Sequence, residues 1–356
     1  MVRADRWKHV LVFGCLAVLA AGALAPGGDE PRRATRDDLP NGGHPADVVR
    51  TEWRPGSSID GEPVGPSPKV TIVAAGDLSC DPANEMFNAG HGTRRWCRAE
   101  DTEALIQRID PDVVIPLGDT QYDEGRLAAF RASYSLHWGL ERWRSRPVVG
   151  NHEYLSSPGA HGYFTYFGPE AGPPGKGWYS YEAGAWHVVA LNSNCMLVRC
   201  DRSSGQYRWL AHDLAASPAS CTLVSFHHAR FSSGPHGDEA ELLLLRPIWR
   251  LLYQRGVDLV VNAHDHIYER FAPMDPGGHR DPEFGVREFI VGTGGAEHYW
   301  IERVRYASQV RDVDTFGVLR LSLSDGGYAW AFEPIDGFSF TDQGSGTCHG
   351  APAAKQ

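Results

Sequence analysis

Val257-Asp258-Leu259-Val260-Val261 runs straight into Asn262-Ala263-His264-Asp265-His266-Ile267-Tyr268-Glu269-Arg270. A mostly apolar run of this length, bounded by polar residues, reads as a buried strand. Two histidines spaced i, i+2 follow it. In a regular strand both imidazoles would share one face and Asp265 the other, although a turn after the apolar run could re-aim either ring. The chain must therefore deliver clustered imidazoles to one place at the end of a buried strand. Imidazole is the commonest protein metal ligand, so that place is a candidate metal site.

The same pattern recurs upstream. Val70 to Ala75 leads into Gly76-Asp77, and Val113 to Leu117 into Gly118-Asp119, with Tyr122 three residues on. Pro147-Val148-Val149 leads into Gly150-Asn151-His152-Glu153, and Thr222 to Phe226 into His227-His228. Between these runs, Thr102–Ile109, Arg126–Ser135 and Gln206–Ala215 read as helices. Glu239–Gln254 is the longest helical stretch, and Pro247 should kink or divide it. Trp178–Glu182 and Trp186–Asn192 read as a hairpin. Glu288–Val291, Gly317–Leu323 and Tyr328–Glu333 read as late strands. Helices alternating with strands early, and strands dominating late, predict one α/β domain with two sheets.

In open α/β folds, ligands gather at the carboxyl ends of the strands. Asp77, Asp119, Tyr122, Asn151, His227, His264 and His266 all fall at such ends. One carboxylate there is usually a turn residue or cap; a recurring set of oxygen and nitrogen donors is not explained that way. Two metals of coordination number about five or six need one bridging carboxylate and three terminal ligands each, with waters completing the shells. These side chains meet that demand if one is shared.

The rest of the chain bounds the answer. Its 356 residues carry a formal net charge of -10, which argues against nucleic acid as the main partner but not against a small anion drawn to a metal. Arg3, Arg6 and Lys8 precede an apolar stretch from Val10 to Leu24 with small residues at its end, which reads as a signal peptide over 1–25 and predicts a secreted or cell-surface protein. No membrane partner beyond that signal is expected. Residues 26–68 are rich in Pro, Gly, Asp and Arg and read as a disordered linker. The domain is expected over 69–343, with a C-terminal tail over 344–356. Beyond Cys15 six cysteines remain, allowing about 15 pairings. An exported chain favours disulfides, and closeness in sequence favours Cys80–Cys97 and Cys195–Cys200, leaving Cys221–Cys348.

The ordered series Gly76-Asp77, Gly118-Asp119-x-x-Tyr122, Gly150-Asn151-His152-Glu153, His227 and Ala263-His264-Asp265-His266 resembles the calcineurin-like metallophosphoesterases. Tyr122 and the run His266-Ile267-Tyr268-Glu269-Arg270 are similar to the purple acid phosphatase branch. The resemblance implies a four-layer α/β/β/α sandwich of two mixed sheets flanked by helices. It also implies two metal ions: Fe(III) held by Asp77, Tyr122 and His266, and a divalent ion (Fe, Zn or Mn) held by Asn151, His227 and His264, with Asp119 bridging. His152 falls where the family places a proton donor, and His236 where the purple enzymes place a phosphate-contacting histidine. Ser79 stands where most relatives have a ligating His, Ala263 where they have Gly, and Ala229 where Pro often follows the metal-binding His. The implied activity is hydrolysis of small phosphomonoesters by in-line attack of a metal-bound hydroxide. The alternatives are a phosphodiesterase or nucleotidase on the same site, or a catalytically silent extracellular metal-binding protein. Oligomeric state is not legible.

Overall fold

The computed structural model describes residues 69–352. The expected signal peptide and linker lie outside the described residues. The chain begins with β1 (Val70–Ala75), α1 (Ala99–Ile109), β2 (Val113–Pro116), α2 (Leu127–Ala132) and α3 (His161–Phe167). The hairpin follows as β3 (Tyr179–Ala183) and β4 (Trp186–Ala190), then α4 (Cys195–Val198), α5 (Gly205–Ala216) and β5 (Cys221–His228). The remainder comprises α6 (Arg246–Gln254), β6 (Leu259–Ala263), β7 (Tyr268–Phe271), β8 (Arg287–Val291), β9 (Ser308–Asp312), β10 (Gly317–Ser324), β11 (Gly327–Pro334) and β12 (Gln343–Thr347).

The strands form two mixed sheets, one of order β12-β11-β10-β1-β2 and one of order β3-β4-β5-β6-β8-β7-β9. β1 and β2 are parallel, and so are β4, β5, β6 and β8 in turn. Alternation along the second sheet explains the layering. Trp186, Val188, Leu223, Leu259, Val261, Phe289 and Val291 face the core shared with the first sheet. Val189, Val224, Val260 and Ile290 face the opposite way, where Leu210 of α5 and Ile248, Trp249 and Leu252 of α6 cover them. A strand buried on both faces reads as a continuous apolar run, which is why no period-2 pattern marks these strands in the sequence. Helix α1 covers the outer face of the first sheet through Leu105 and Ile106. This is the four-layer sandwich expected.

Pro147–Val149 departs from expectation, because it is not a strand. Arg146 N–H bonds Val114 O and Val148 N–H bonds Pro116 O, so the segment runs beside β2. Its carbonyls are taken by side chains instead: Pro147 O accepts the hydroxyls of Tyr163 and Tyr179, and Val149 O the amide of Asn194. The expected helix Glu239–Gln254 is divided as its proline requires, into a 3-10 segment Ala240–Leu245 and α6. Pro247 lies in the first turn of α6, where a missing N–H costs nothing.

The expected tail from residue 344 is corrected. β12 pairs antiparallel with β11 across Gln343–Thr347, and Cys348 is bonded to Cys221. Its glycines misled: a Cβ on Gly344 would lie 2.3 Å from the Trp330 ring and one on Gly346 2.5 Å from Tyr328. Glycine here lets aromatic rings lie over an edge strand. Cys80–Cys97 and Cys195–Cys200 are also bonded, giving the pairing that sequence proximity favours.

Candidate metal centre

Asp77 and Asp119 immediately follow strands β1 and β2 of the first sheet, and His227 and His264 lie at the ends of β5 and β6 of the second. β6 stops at Ala263, so the alternation expected of His264 and His266 does not apply; a turn aims them. Ala263 keeps ordinary backbone, and the left-handed conformation falls on His264 (φ 73°). Asp77 (φ 58°) and Asp119 (φ 44°) are left-handed too. Such residues cost on the order of 1–3 kcal/mol each and gather where function fixes the backbone.

Two groups of donors result. In the first, Tyr122 Oη is 2.9 Å from Asp77 Oδ1 and 3.0 Å from His266 Nε2, and His266 Nε2 is 3.4 Å from Asp77 Oδ1. In the second, His227 Nε2 is 3.1 Å from Asn151 Oδ1 and 3.3 Å from His264 Nδ1. Asp119 Oδ2 belongs to both, 3.4 Å from Tyr122 Oη and 3.2 Å from His227 Nε2. The structure therefore brings together all seven side chains singled out in the sequence, with Asp119 between the two groups.

The outer nitrogens of the imidazoles test whether cations fit. His227 Nδ1 is 2.8 Å from Leu117 O, and His266 Nδ1 is 2.6 Å from Glu297 O. A carbonyl only accepts, so in each ring Nδ1 donates and Nε2 is the nitrogen turned inward. The inner nitrogens meet carboxylate and amide oxygens, acceptors that call for positive charge between them, which a cation would supply in place of protons. Ligand atoms of Asp119, His227 and His264 all lie within 4.8 Å of one another. Electrostatics agree. Burial opposes charge on both Asp119 and His227, yet each outweighs it for the other: the Asp119 carboxyl lies well below the usual range and His227 is held up at about 9. Burial, then Asp77 and Asp119, push the Tyr122 phenol well above its ordinary value, so only a strongly polarising cation would draw off its proton.

The family model for calcineurin-like phosphoesterase matches residues 70–268, more than half of the chain. The chain belongs to the calcineurin-like phosphoesterase family. Purple acid phosphatase 15 of Arabidopsis thaliana is 29% identical over 68% of this chain and 51% of its own length. Purple acid phosphatase 18 of the same plant is 32% identical over 64% of this chain and 50% of its own. A purple acid phosphatase isolated from yellow lupin (Lupinus luteus) seeds shares the fold, with a TM-score of 0.63 at 19% identity over 80% of this chain and 54% of that one. All three of these relatives are purple acid phosphatases, the branch that this chain resembles. It spans about half the length of the curated relatives it matches. The family implies a dinuclear metal centre.

Around this calcineurin-like centre stand the two histidines expected to meet substrate. His152 packs edge-on against Tyr122, with ring centroids 4.6 Å apart, and its Nδ1 lies 2.6 Å from Asp123 O, leaving Nε2 toward the cleft. His236 comes from a loop 3-10 turn, Pro235–Asp238, and its ring lies 4.5 Å from that of His264. Both are only partly buried, with side chains 30% exposed. Residues Gly292-Thr293-Gly294-Gly295 form a turn behind the centre. The Gly292 and Gly294 N–H groups bond Ile267 O and Gly76 O, so the turn braces the Asp77 loop.

Four further residues were not singled out in the sequence. Glu239 accepts from His236 Nδ1 at 2.6 Å and lies 3.6 Å from His264 Nε2. Asp265 accepts the His236 N–H at 3.1 Å and the Ser232 hydroxyl, fixing the loop that carries His236. Glu153, fully buried, accepts backbone N–H groups of Asp119, Thr120 and Gly150, tying both ligand loops to one carboxylate. Tyr299 stacks on His266. Of these Glu153 and Asp265 carried a signal, their places in the Gly150-Asn151-His152-Glu153 and Ala263-His264-Asp265-His266 runs.

Proposed function

We propose that this chain is an exported binuclear metal-dependent phosphoesterase that hydrolyses phosphomonoesters. The observation that carries it is the Asp119 carboxylate, whose Oδ2 faces Tyr122 on one side and His227 on the other. Asp77, Tyr122 and His266 would hold a ferric ion, because phenolate and carboxylate oxygens are hard donors. Asn151, His227 and His264 would hold a divalent ion. When bound, the pair would polarise a water and offset the charge on the phosphate oxygens.

The protein's own groups supply the rest. His152 presents Nε2 while Asp123 O holds Nδ1, so a proton on Nε2 can pass to the leaving oxygen as its bond to phosphorus breaks and the water oxygen's bond forms. His236, fixed by Glu239 and Asp265, donates to a phosphoryl oxygen. A dianionic monoester uses both donors; a diester has one fewer charged oxygen to satisfy. Export is supported by three disulfides, which persist in oxidising compartments.

The test is elemental metal analysis and a visible spectrum of the purified protein, beside hydrolysis of a monoester and its diester. The expected result is about two metals per chain including iron, a broad visible band from the tyrosinate, and preference for the monoester. Asp119→Asn should abolish hydrolysis; full activity in that variant overturns the site. Preference for the diester would move the reading to a phosphodiesterase. Metal without hydrolysis of either would leave a silent binding protein.

A further inference from the structure

Isolated exposed apolar side chains need no explanation, but several lining one recess do. Leu155, Met196 and Leu197 are 61%, 70% and 57% exposed. All three line a single recess of about 310 Å³, whose deeper wall is made by Leu242 and Leu245. The recess adjoins the metal centre, because Asn151 lines it too and also reaches within 3.1 Å of His227 Nε2. His228, whose ring lies 4.4 Å from that of His264, forms part of the same wall.

Two features give the recess a fixed shape. Met196 and Leu197 sit on α4, which starts at Cys195 and is closed back on itself by the Cys195–Cys200 disulfide. Leu155 ends the short turn His152–Tyr154, and its N–H bonds His152 O. Preorganised apolar walls bind without the ordering cost that mobile loops incur.

The lining chemistry selects the occupant. Among the described residues no Lys or Arg lines the recess, and the one acidic group there is Glu241. A second phosphate or a carboxylate would find no counter-charge there. Its volume is at the low end for a ligand pocket, enough for a compact group but not a large one. Asn151 and Leu155, both in the lining, flank His152 in the chain, which sets the recess beside the residue proposed to protonate the leaving oxygen.

We propose that this recess is the leaving-group subsite and that the substrate is a phosphomonoester of a neutral, apolar alcohol. The assignment rests on the phosphoesterase reading above. Leu155, Met196 and Leu197 set specificity and take no part in the bond-breaking step.

n-Hexyl phosphate and ethyl phosphate test it, since both release a primary alcohol of similar intrinsic reactivity and differ in apolar length. The wild-type protein should show kcat/KM for n-hexyl phosphate at least about tenfold above ethyl phosphate. Leu155→Ser/Leu197→Ser, both at exposed positions, should bring that ratio close to one, chiefly by lowering kcat/KM for n-hexyl phosphate. Equal kcat/KM for the two esters in the wild type, or an unchanged ratio in the double variant, overturns the subsite and leaves the phosphoesterase reading intact. Hydrolysis of neither ester by metal-replete wild type overturns both.

Discussion

The Tyr299 ring lies flat on the His266 imidazole, with centroids 3.9 Å apart and planes inclined by 9°. The imidazole is held at its far edge as well, by Nδ1 to Glu297 O at 2.6 Å. One contact fixes the tautomer and the other stops the ring from swinging about that hydrogen bond. Partners that orient a ligand in this way are commonly worth 10–100-fold in metal affinity. Tyr299→Ala should therefore weaken metal binding at His266 by about 10–100-fold, and Tyr299→Phe, which keeps the stack, should not. Metal retained during dialysis against a graded chelator reads this directly. Equal retention in the wild type and Tyr299→Ala would mean that the stack is only packing.

Glu239 joins two sites that the sequence presents as unrelated. It accepts from His236 Nδ1 at 2.6 Å and lies 3.6 Å from the outer nitrogen of His264. Glu239→Ala should release both rings, lowering metal affinity at His264 and kcat by about 10–100-fold each. Glu239→Gln, which can still accept from His236, should lose less. Since the two residues act together, adding His236→Ala to Glu239→Ala should cost less in kcat than His236→Ala costs alone in the wild type. Strictly additive losses would show that Glu239 does not act through His236.

How much of this was legible follows from where each signal resides. Asp77, Asp119, His227, His264 and His266 are marked by chain-local context, an apolar run that ends in a polar donor, and all of them converge. Glu239 has no such mark. It reaches the centre only because the 3-10 turn Pro235–Asp238 folds its loop over His264. Tyr299 arrives from the loop after β8 and looks like any loop aromatic until its N–H is found bonded to His266 O. Pro147–Val149 misled in the other direction: two valines after a proline look like a strand, but side chains from elsewhere take its carbonyls. Gly344 and Gly346 spelled a tail because glycine's local preference says nothing of rings folded over it from β11.

Ala263 and Gly76 form a matched pair. A Cβ placed on Gly76 would sit 2.5 Å from Ala263 Cβ and 3.0 Å from Leu117 Cβ. The Ala263 methyl fills the space beside Gly76, which has no room for a side chain of its own. Gly76→Ala should cost about 1–3 kcal/mol, the range for overpacking a tight core. Adding Ala263→Gly should recover part of the loss but not all, because Leu117 remains close. Denaturant unfolding of the two single variants and the double variant measures this. A double variant no more stable than Gly76→Ala would place the clash at Leu117 alone.

A final prediction concerns pH and lies away from the metals. His187 of β4 is held between two carboxylates, Nδ1 to Glu182 Oε1 at 2.8 Å and Nε2 to Asp213 Oδ2 at 2.8 Å. Ser180 donates to the other oxygen of Asp213. Burial alone would lower the His187 pKa, but the two carboxylates outweigh it and hold it above the ordinary value. Asp213 is lowered in turn: burial raises it, and the His187 and Ser180 hydrogen bonds outweigh that. A raised imidazolium contributes stability that is fully present below its unfolded pKa, about 6.5, and is lost as pH rises through the folded value. A lowered carboxylate contributes stability present above its unfolded pKa, about 3.9, and lost as pH falls through the folded value. The clamp is therefore strongest in mildly acidic solution, between those two unfolded values, where both partners are charged. His187→Gln should destabilise the protein more at about pH 5.5 than at about pH 8.5. Melting of the wild type and the variant at both values checks this. A penalty that stays constant or grows with pH would mean that His187 is held neutral, as an ordinary buried hydrogen-bonding residue.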